Sequence, residues 1–221
     1  MKIVNTLTTR FSKVTLISRI QSFFLLILFC SKIKKMQEEI QKAYEIIQQG
    51  GIILYPTDTV WGIGCDATNS EAVAKIYKLK QRAETQSMIV LMNGEKMMYN
   101  VFKDIPEVAW QIMDLSEKPT TIILDNPRNV AQNLIASDNT LGIRIVKEPF
   151  CFKLMEKMKK PLVSTSANIS GQPTPIAFKD INPEIIKGLD YVVNLHHDKI
   201  AGKPSTIIKL TSDSQVKVIR K

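Results

Sequence analysis

The sequence predicts an α/β fold built as a single domain on a mixed sheet. Three observations predict it. Short apolar runs that read as strands interleave with helical stretches from residue 36 to the C-terminus. The last strands are separated by short connections, which favours a mixed rather than an all-parallel sheet. No internal repeat, low-complexity tract or long linker interrupts the 221 residues, which suffice for one domain with a real core.

The elements follow in order. Residues 36–49 carry Ile40, Ala43 and Ile47, with Tyr44, at the spacing of one helix face, and Gly50-Gly51 ends the helix. Residues 52–55 read as a buried strand stopped by Pro56. Asn69 or Ser70 caps a second helix with Glu71 in its first turn and Ala72, Val73, Ile76 and Leu79 on its inner face. That helix delivers Lys80 and Arg82 to its C-terminal end. Strand 88–91, helix 105–115 and strand 120–124 come next. Strand 141–145 holds a charge, Arg144, among apolar residues. Helix 150–158 is stopped by Pro161 and followed by strand 162–165. A short helix at 183–187 and closing strands at 191–195, 206–210 and 216–219 complete the chain.

Composition narrows the function classes. The chain is 44% apolar and 23% charged, as in ordinary globular domains. Its net charge of +9 is concentrated in residues 1–35, which hold seven Lys/Arg and no acid. The remainder has 23 basic and 21 acidic residues, so global charge gives little support for nucleic-acid binding. Three cysteines, Cys30, Cys65 and Cys151, form no CxxC pair, which argues against a disulfide framework or zinc site and fits a reducing, cytoplasmic setting.

Residues 1–35 are read as a leader of doubtful structural role, and residues 36–221 as the catalytic domain. The run FFLLILF at 23–29 is short of the ~20 apolar residues of a spanning helix. Three readings stand: a stretch arising from an upstream start codon, an interface anchor, or a cleaved leader without the usual small-residue cleavage pattern. The first is preferred, and no stable membrane association is expected.

The segment STSANISG at 164–171 is the most informative in the chain. It places four hydroxyls, an amide and a glycine at the end of a strand, where ligands sit in open α/β sheets. Two further segments accompany it, YPTDTVWG at 55–62 and KQR at 80–82. Arg144 requires either a structural ion pair or an anionic ligand, since an unpaired buried charge is costly. Alone, Lys80 and Arg82 read as a solvated helix end, and Thr57, Asp58 and Thr59 as a turn. Asp58 stays open between a cap and a metal ligand. Together these polar element ends could form one anion pocket. No GxSxG elbow occurs, GKPST at 202–206 lacks a true phosphate-loop pattern, GIG at 62–64 carries almost no dinucleotide signal, and His196-His197 reads as a surface or turn pair.

YPTDTVWGIGCDA at 55–67, KQR at 80–82, GIR at 142–144, STSANISG at 164–171 and PST at 204–206 together resemble the YrdC family of L-threonylcarbamoyladenylate synthases. The likeness runs from about Met36 to Arg220. It implies a twisted sheet flanked by helices around a basic concave cleft. It also implies a reaction joining L-threonine, bicarbonate and ATP into threonylcarbamoyl-AMP and pyrophosphate, with Mg2+ accompanying ATP and no protein metal ligand. Downstream transfer proteins then carry the group to tRNA, and contact with tRNA or double-stranded RNA is a further implied possibility. By resemblance Lys80, Arg82, Ser166 and Asn168 form a catalytic tetrad. Thr59, Arg144, Ser164 and Ser205 hold L-threonine, while Arg82, Thr140, Ser166, Thr174 and Arg220 contact ATP. Ala83, Gln86 and Leu91 depart from the family's common Pro, Lys or Asn, and His. The competing readings are an RNA-binding, translation-associated module using the same cleft without adenylation, and an inactive paralogue.

Overall fold

No glycine or proline occurs between residues 3 and 48, and the first helix, α1 (Ile3–Gln48), runs through that whole stretch rather than starting at residue 36. The structure is a computed structural model that describes residues 3–84, 86–210 and 215–220, with side chains from Leu26 onward. The chain divides into two compact units, Met1–Glu38 and Glu39–Lys221. Within the second unit Gly50, at φ +73, turns the chain out of the helix.

Apolar runs then become strands in the expected places: β1 (Ile53–Tyr55), β3 (Ile89–Met92), β4 (Thr120–Asp125), β5 (Thr140–Ile145), β6 (Leu162–Ser166), β7 (Tyr191–Val192), β8 (Thr206–Leu210) and β9 (Val216–Arg220). β2 (Gly62–Gly64) joins them, so the GIG segment is a strand rather than a ligand loop. Among the described residues the order is β7-β1-β2-β6-β3-β5-β4-β8-β9. The β1/β7, β3/β5 and β4/β8 pairs are parallel and the others antiparallel, as expected of a mixed sheet.

Helix ends follow side-chain chemistry. Of the two candidates, Asn69 caps α2 (Ser70–Leu79): its Oδ1 accepts from the Glu71 and Ala72 amides at 3.0 and 3.1 Å. α3 (Glu95–Val101) was not expected from the sequence; it buries Met97, Met98 and Val101. α4 (Glu107–Leu115) starts two residues late because Pro106 fills the cap position. α5 (Pro149–Met158) opens on Pro149 and ends at Lys159, whose φ of 54 turns the chain before Pro161 intervenes. α6 (Pro183–Lys187) opens on Pro183, with Asn182 as cap.

The two glycines of β2 make room for one ring. Tyr55 is fully buried and donates its hydroxyl to the Val163 carbonyl at 2.9 Å, crossing over the neighbouring strand. A Cβ on Gly64 would lie 2.1 Å from the Val163 oxygen and 2.8 Å from Tyr55 Cε1. Gly64→Ala is therefore expected to destabilise the fold by about 3 kcal/mol, the upper end of overpacking costs. Chemical denaturation checks this, and an unchanged midpoint contradicts it.

Candidate active site

The strand ends converge on one hollow. The end of β1, the start of β3, the end of β6, the start of β8 and the end of β9 meet around a cavity of about 220 Å³. Its wall includes Thr59, Arg82, Arg144, Ser164, Ser166, Thr174, Ser205 and Arg220, eight of the eleven residues singled out from the sequence. Thr57, Val60 and Ile207 fill the space between them. Among the described residues the lining includes three arginines and no carboxylate. Such a wall suits anions.

The loop after β1 is wired to itself. Thr57 Oγ1 donates to the Val60 carbonyl at 2.6 Å and accepts the Thr59 amide at 3.0 Å. It also lies 3.0 Å from the Thr59 hydroxyl. This Ser/Thr-type turn explains the first threonine of the motif and presents the second to the cavity. Across the hollow, the Ser205 hydroxyl lies 2.8 Å from that of Thr121, a fully buried residue of β4 that the sequence reading passed over. Arg220 Nε and Nη2 donate to the Ser205 carbonyl at 3.0 and 2.8 Å. Its guanidinium is thereby fixed on the rim.

Arg144 takes the ion-pair alternative and also lines the hollow. It is 3% exposed, and Nη2 donates to Asp58 Oδ1 at 2.9 Å. Its Nε is buried and has no hydrogen-bond partner. An acceptor entering the hollow would relieve that unmet donor. Asp58, left open as cap or metal ligand, is thus the partner of Arg144. Burial first, and then repulsion from Arg144, pull Arg220 below the usual arginine value. Burial likewise lowers Arg82. A bound anion would offset both effects.

Lys80 and Arg82 part company at the end of α2. Gln81 sits at φ 50 in the position usually given to glycine, and the Arg82 amide reaches back to the Tyr77 carbonyl at 3.0 Å, closing a Schellman turn. Arg82 lines the cavity, held by bonds from Nε to the Gln86 carbonyl at 2.8 Å and from Nη2 to the Ser87 carbonyl at 2.9 Å. Lys80 turns the other way. Its ammonium is buried and donates to the carbonyls of Ser166 and, at 2.6 Å, Asn168, while its own carbonyl accepts from the Ser170 amide at 2.8 Å. The expected fixed cation on the wall is therefore a clamp behind the STSAN loop. Burial, with a smaller push from Arg82, brings its pKa down to about 7.

Asn168 is likewise a loop residue, absent from the cavity wall. Its Oδ1 accepts from the Ser166 hydroxyl, and Nδ2 donates to the Ile169 and Gln172 carbonyls at 2.9 and 2.7 Å. Thr140 lies apart, at the start of β5, with its hydroxyl donating to Asp138 at 2.7 Å. Gln86 accepts from the Ser170 hydroxyl at 3.3 Å, and Leu91 is fully buried opposite Arg144 in the β3/β5 pair. His196 is exposed, as a surface residue is expected to be. His197 is a turn residue; half-buried, it stacks on Phe178 with ring centroids 3.8 Å apart, away from the hollow. The two buried thiols, Cys65 and Cys151, are pushed up by burial and take no part in the wall.

The chain is similar to known proteins in sequence and in fold. The Sua5/YciO/YrdC family model, described as "Telomere recombination", matches residues 45–221. The threonylcarbamoyl-AMP synthase of Pseudoalteromonas translucida is 31% identical over 176 residues, covering 77% of this chain and 92% of that protein. E. coli YciO matches with a TM-score of 0.73 at 26% identity over 84% of this chain and 89% of its own. P. abyssi Sua5 complexed with L-threonine matches with a TM-score of 0.67 at 25% identity over 77% of this chain. This chain covers 50% of that longer Sua5 chain.

Proposed function

The chain belongs to the Sua5/YciO/YrdC family, and on that footing we propose that it is a threonylcarbamoyl-AMP synthase. The observation that carries the proposal is the hydroxyl-lined hollow bearing three arginines. The deprotonated amine of L-threonine adds to CO2 and loses a proton, or reacts with bicarbonate with loss of water, giving a carbamate. A carbamate oxygen then attacks the α-phosphorus of ATP, and pyrophosphate leaves. The nucleophile belongs to the substrate, so no protein side chain is covalently modified.

The protein's task is to bring together two anions that repel each other. Arg144, Ser164, Ser205 and Thr59 hold the amino acid at the floor. Arg82, Ser166, Thr174 and Arg220 hold the nucleotide at the rim. A contact from Thr140 requires the nucleotide to reach beyond the hollow toward the start of β5. ATP enters with Mg2+. Among the described residues no cluster of His, Cys, Asp or Glu is placed to hold a metal. In this reading the ion is carried on phosphate oxygens. The product would pass to a transfer protein that modifies tRNA. Among the described residues no helix is long and apolar enough to cross a membrane.

The alternative of an RNA-binding module without adenylation is not favoured, because the matched relatives are named as synthases. Purified protein is expected to release pyrophosphate from ATP only when L-threonine and bicarbonate are both present. Equal release without threonine would point to another acceptor.

A further inference from the structure

We propose that Asp58 is a positioning residue for the amino-acid carboxylate, acting through Arg144; this inference rests on the synthase reading. Asp58 does not belong to the wall of the substrate hollow. Its side chain is one quarter exposed and lines a separate cavity of about 220 Å³ with Lys118, Ile145 and Lys147. Between the two cavities stands the ion pair, Asp58 Oδ1 accepting from Arg144 Nη2 at 2.9 Å. The guanidinium side is 4% exposed and faces the substrate hollow.

A purely structural ion pair would leave the arginine satisfied. Here Nε remains buried without a partner while Nη2 is engaged. Arg144 also lines the hollow, so an acceptor arriving there would meet a guanidinium whose hydrogen-bonding is incomplete. A carboxylate is the acceptor that matches a guanidinium edge. Asp58 supplies what that encounter needs: it fixes the torsion of a long side chain before the ligand binds, so that no ordering cost falls on binding. The Asp58 backbone is fixed in turn, because Thr57 and Thr59 on either side are held by the hydroxyl-to-amide bond of the loop. The motif therefore couples its aspartate to its threonines. One presents Arg144, and the others build the turn that presents the aspartate.

The test compares L-threonine with L-threoninamide, which keeps the side chain and amine but lacks the carboxylate. Isothermal titration on wild type, Asp58→Ala, Asp58→Asn and Asp58→Glu reads both ligands, alongside steady-state kinetics. Wild type is expected to prefer threonine strongly. Asp58→Ala is expected to raise the threonine KM about tenfold, leave the ATP KM within about twofold, and narrow the preference for threonine over threoninamide. Asp58→Glu should recover part of that preference. Equal weakening of both ligands, or parallel rises in both KM values, overturns the inference. If Asp58→Ala does not fold, the Asn and Glu variants give the same readouts, and an unchanged preference in Asp58→Asn overturns it equally. A wild-type protein that neither binds threonine nor releases pyrophosphate sinks the synthase reading instead.

Discussion

Arg144→Ala is expected to raise the L-threonine concentration needed for half-maximal pyrophosphate release by about 10²-fold, with the ATP requirement nearly unchanged. The magnitude is that of truncating one partner of a buried, charge-assisted contact, ~3 kcal/mol. Two effects combine. The carboxylate loses the guanidinium that would fix it, and Asp58 is left without its ion-pair partner. Arg144→Lys keeps the charge but not the planar fork, so it should recover only a small part of the loss. Initial-rate kinetics with each substrate varied in turn checks this. A larger rise for ATP than for threonine would move Arg144 to the nucleotide side.

Lys80 and Arg82 should both be severe losses, for different reasons. Arg82→Ala removes a cation from the wall and is expected to cut turnover by on the order of 10²–10³, as for loss of a charge-stabilising donor. Lys80→Met removes no wall residue. It strips two loop carbonyls of their donor, so Ser166 is misplaced and turnover falls by about 10². The two can be separated by pH. In the folded protein Lys80 titrates near 7, well below its value in the unfolded chain, because its charged form is desolvated. Between about pH 7 and the usual lysine range the unfolded chain binds more protons, so stability from this residue rises with pH across that window. Below pH 7 both states are protonated and the gain is absent. The neutral amine still offers two N–H donors for its two carbonyls, so the clamp survives deprotonation. Denaturation midpoints should therefore climb less from pH 7 to 10 in Lys80→Met than in wild type. Equal slopes would contradict the assignment of that titration to Lys80.

Much of this was legible in the sequence because the signals are local. Apolar runs bounded by proline and glycine marked most of the strands, and Asn69 was one of two caps read for the second helix. The elements that escaped are those whose cause is tertiary. β2 is three residues with glycine at both ends, and it is a strand because Tyr55 needs the space above it. α3 has only seven residues, and its buried Met97, Met98 and Val101 make too short a pattern to declare a helix. The site shows the same division. Residue types at strand ends indicated an anion pocket, and eight of the eleven chosen residues do line one cavity. Side-chain direction was not legible. A Lys-x-Arg spacing does not say that a left-handed Gln81 sends the lysine behind the loop and the arginine into the hollow. Nor does an apolar strand say that Thr121 meets Ser205, or that Asp58 reaches across 86 positions to Arg144.

The most direct test of the proposed chemistry follows the carbon of bicarbonate. Rapidly quenched reactions with ¹³C-bicarbonate, L-threonine and ATP, read by mass spectrometry, should yield a threonylcarbamoyl-AMP adduct carrying the label. Omitting any one substrate should abolish it. Pyrophosphate released with no labelled adduct, or an adduct formed without threonine, would contradict the account.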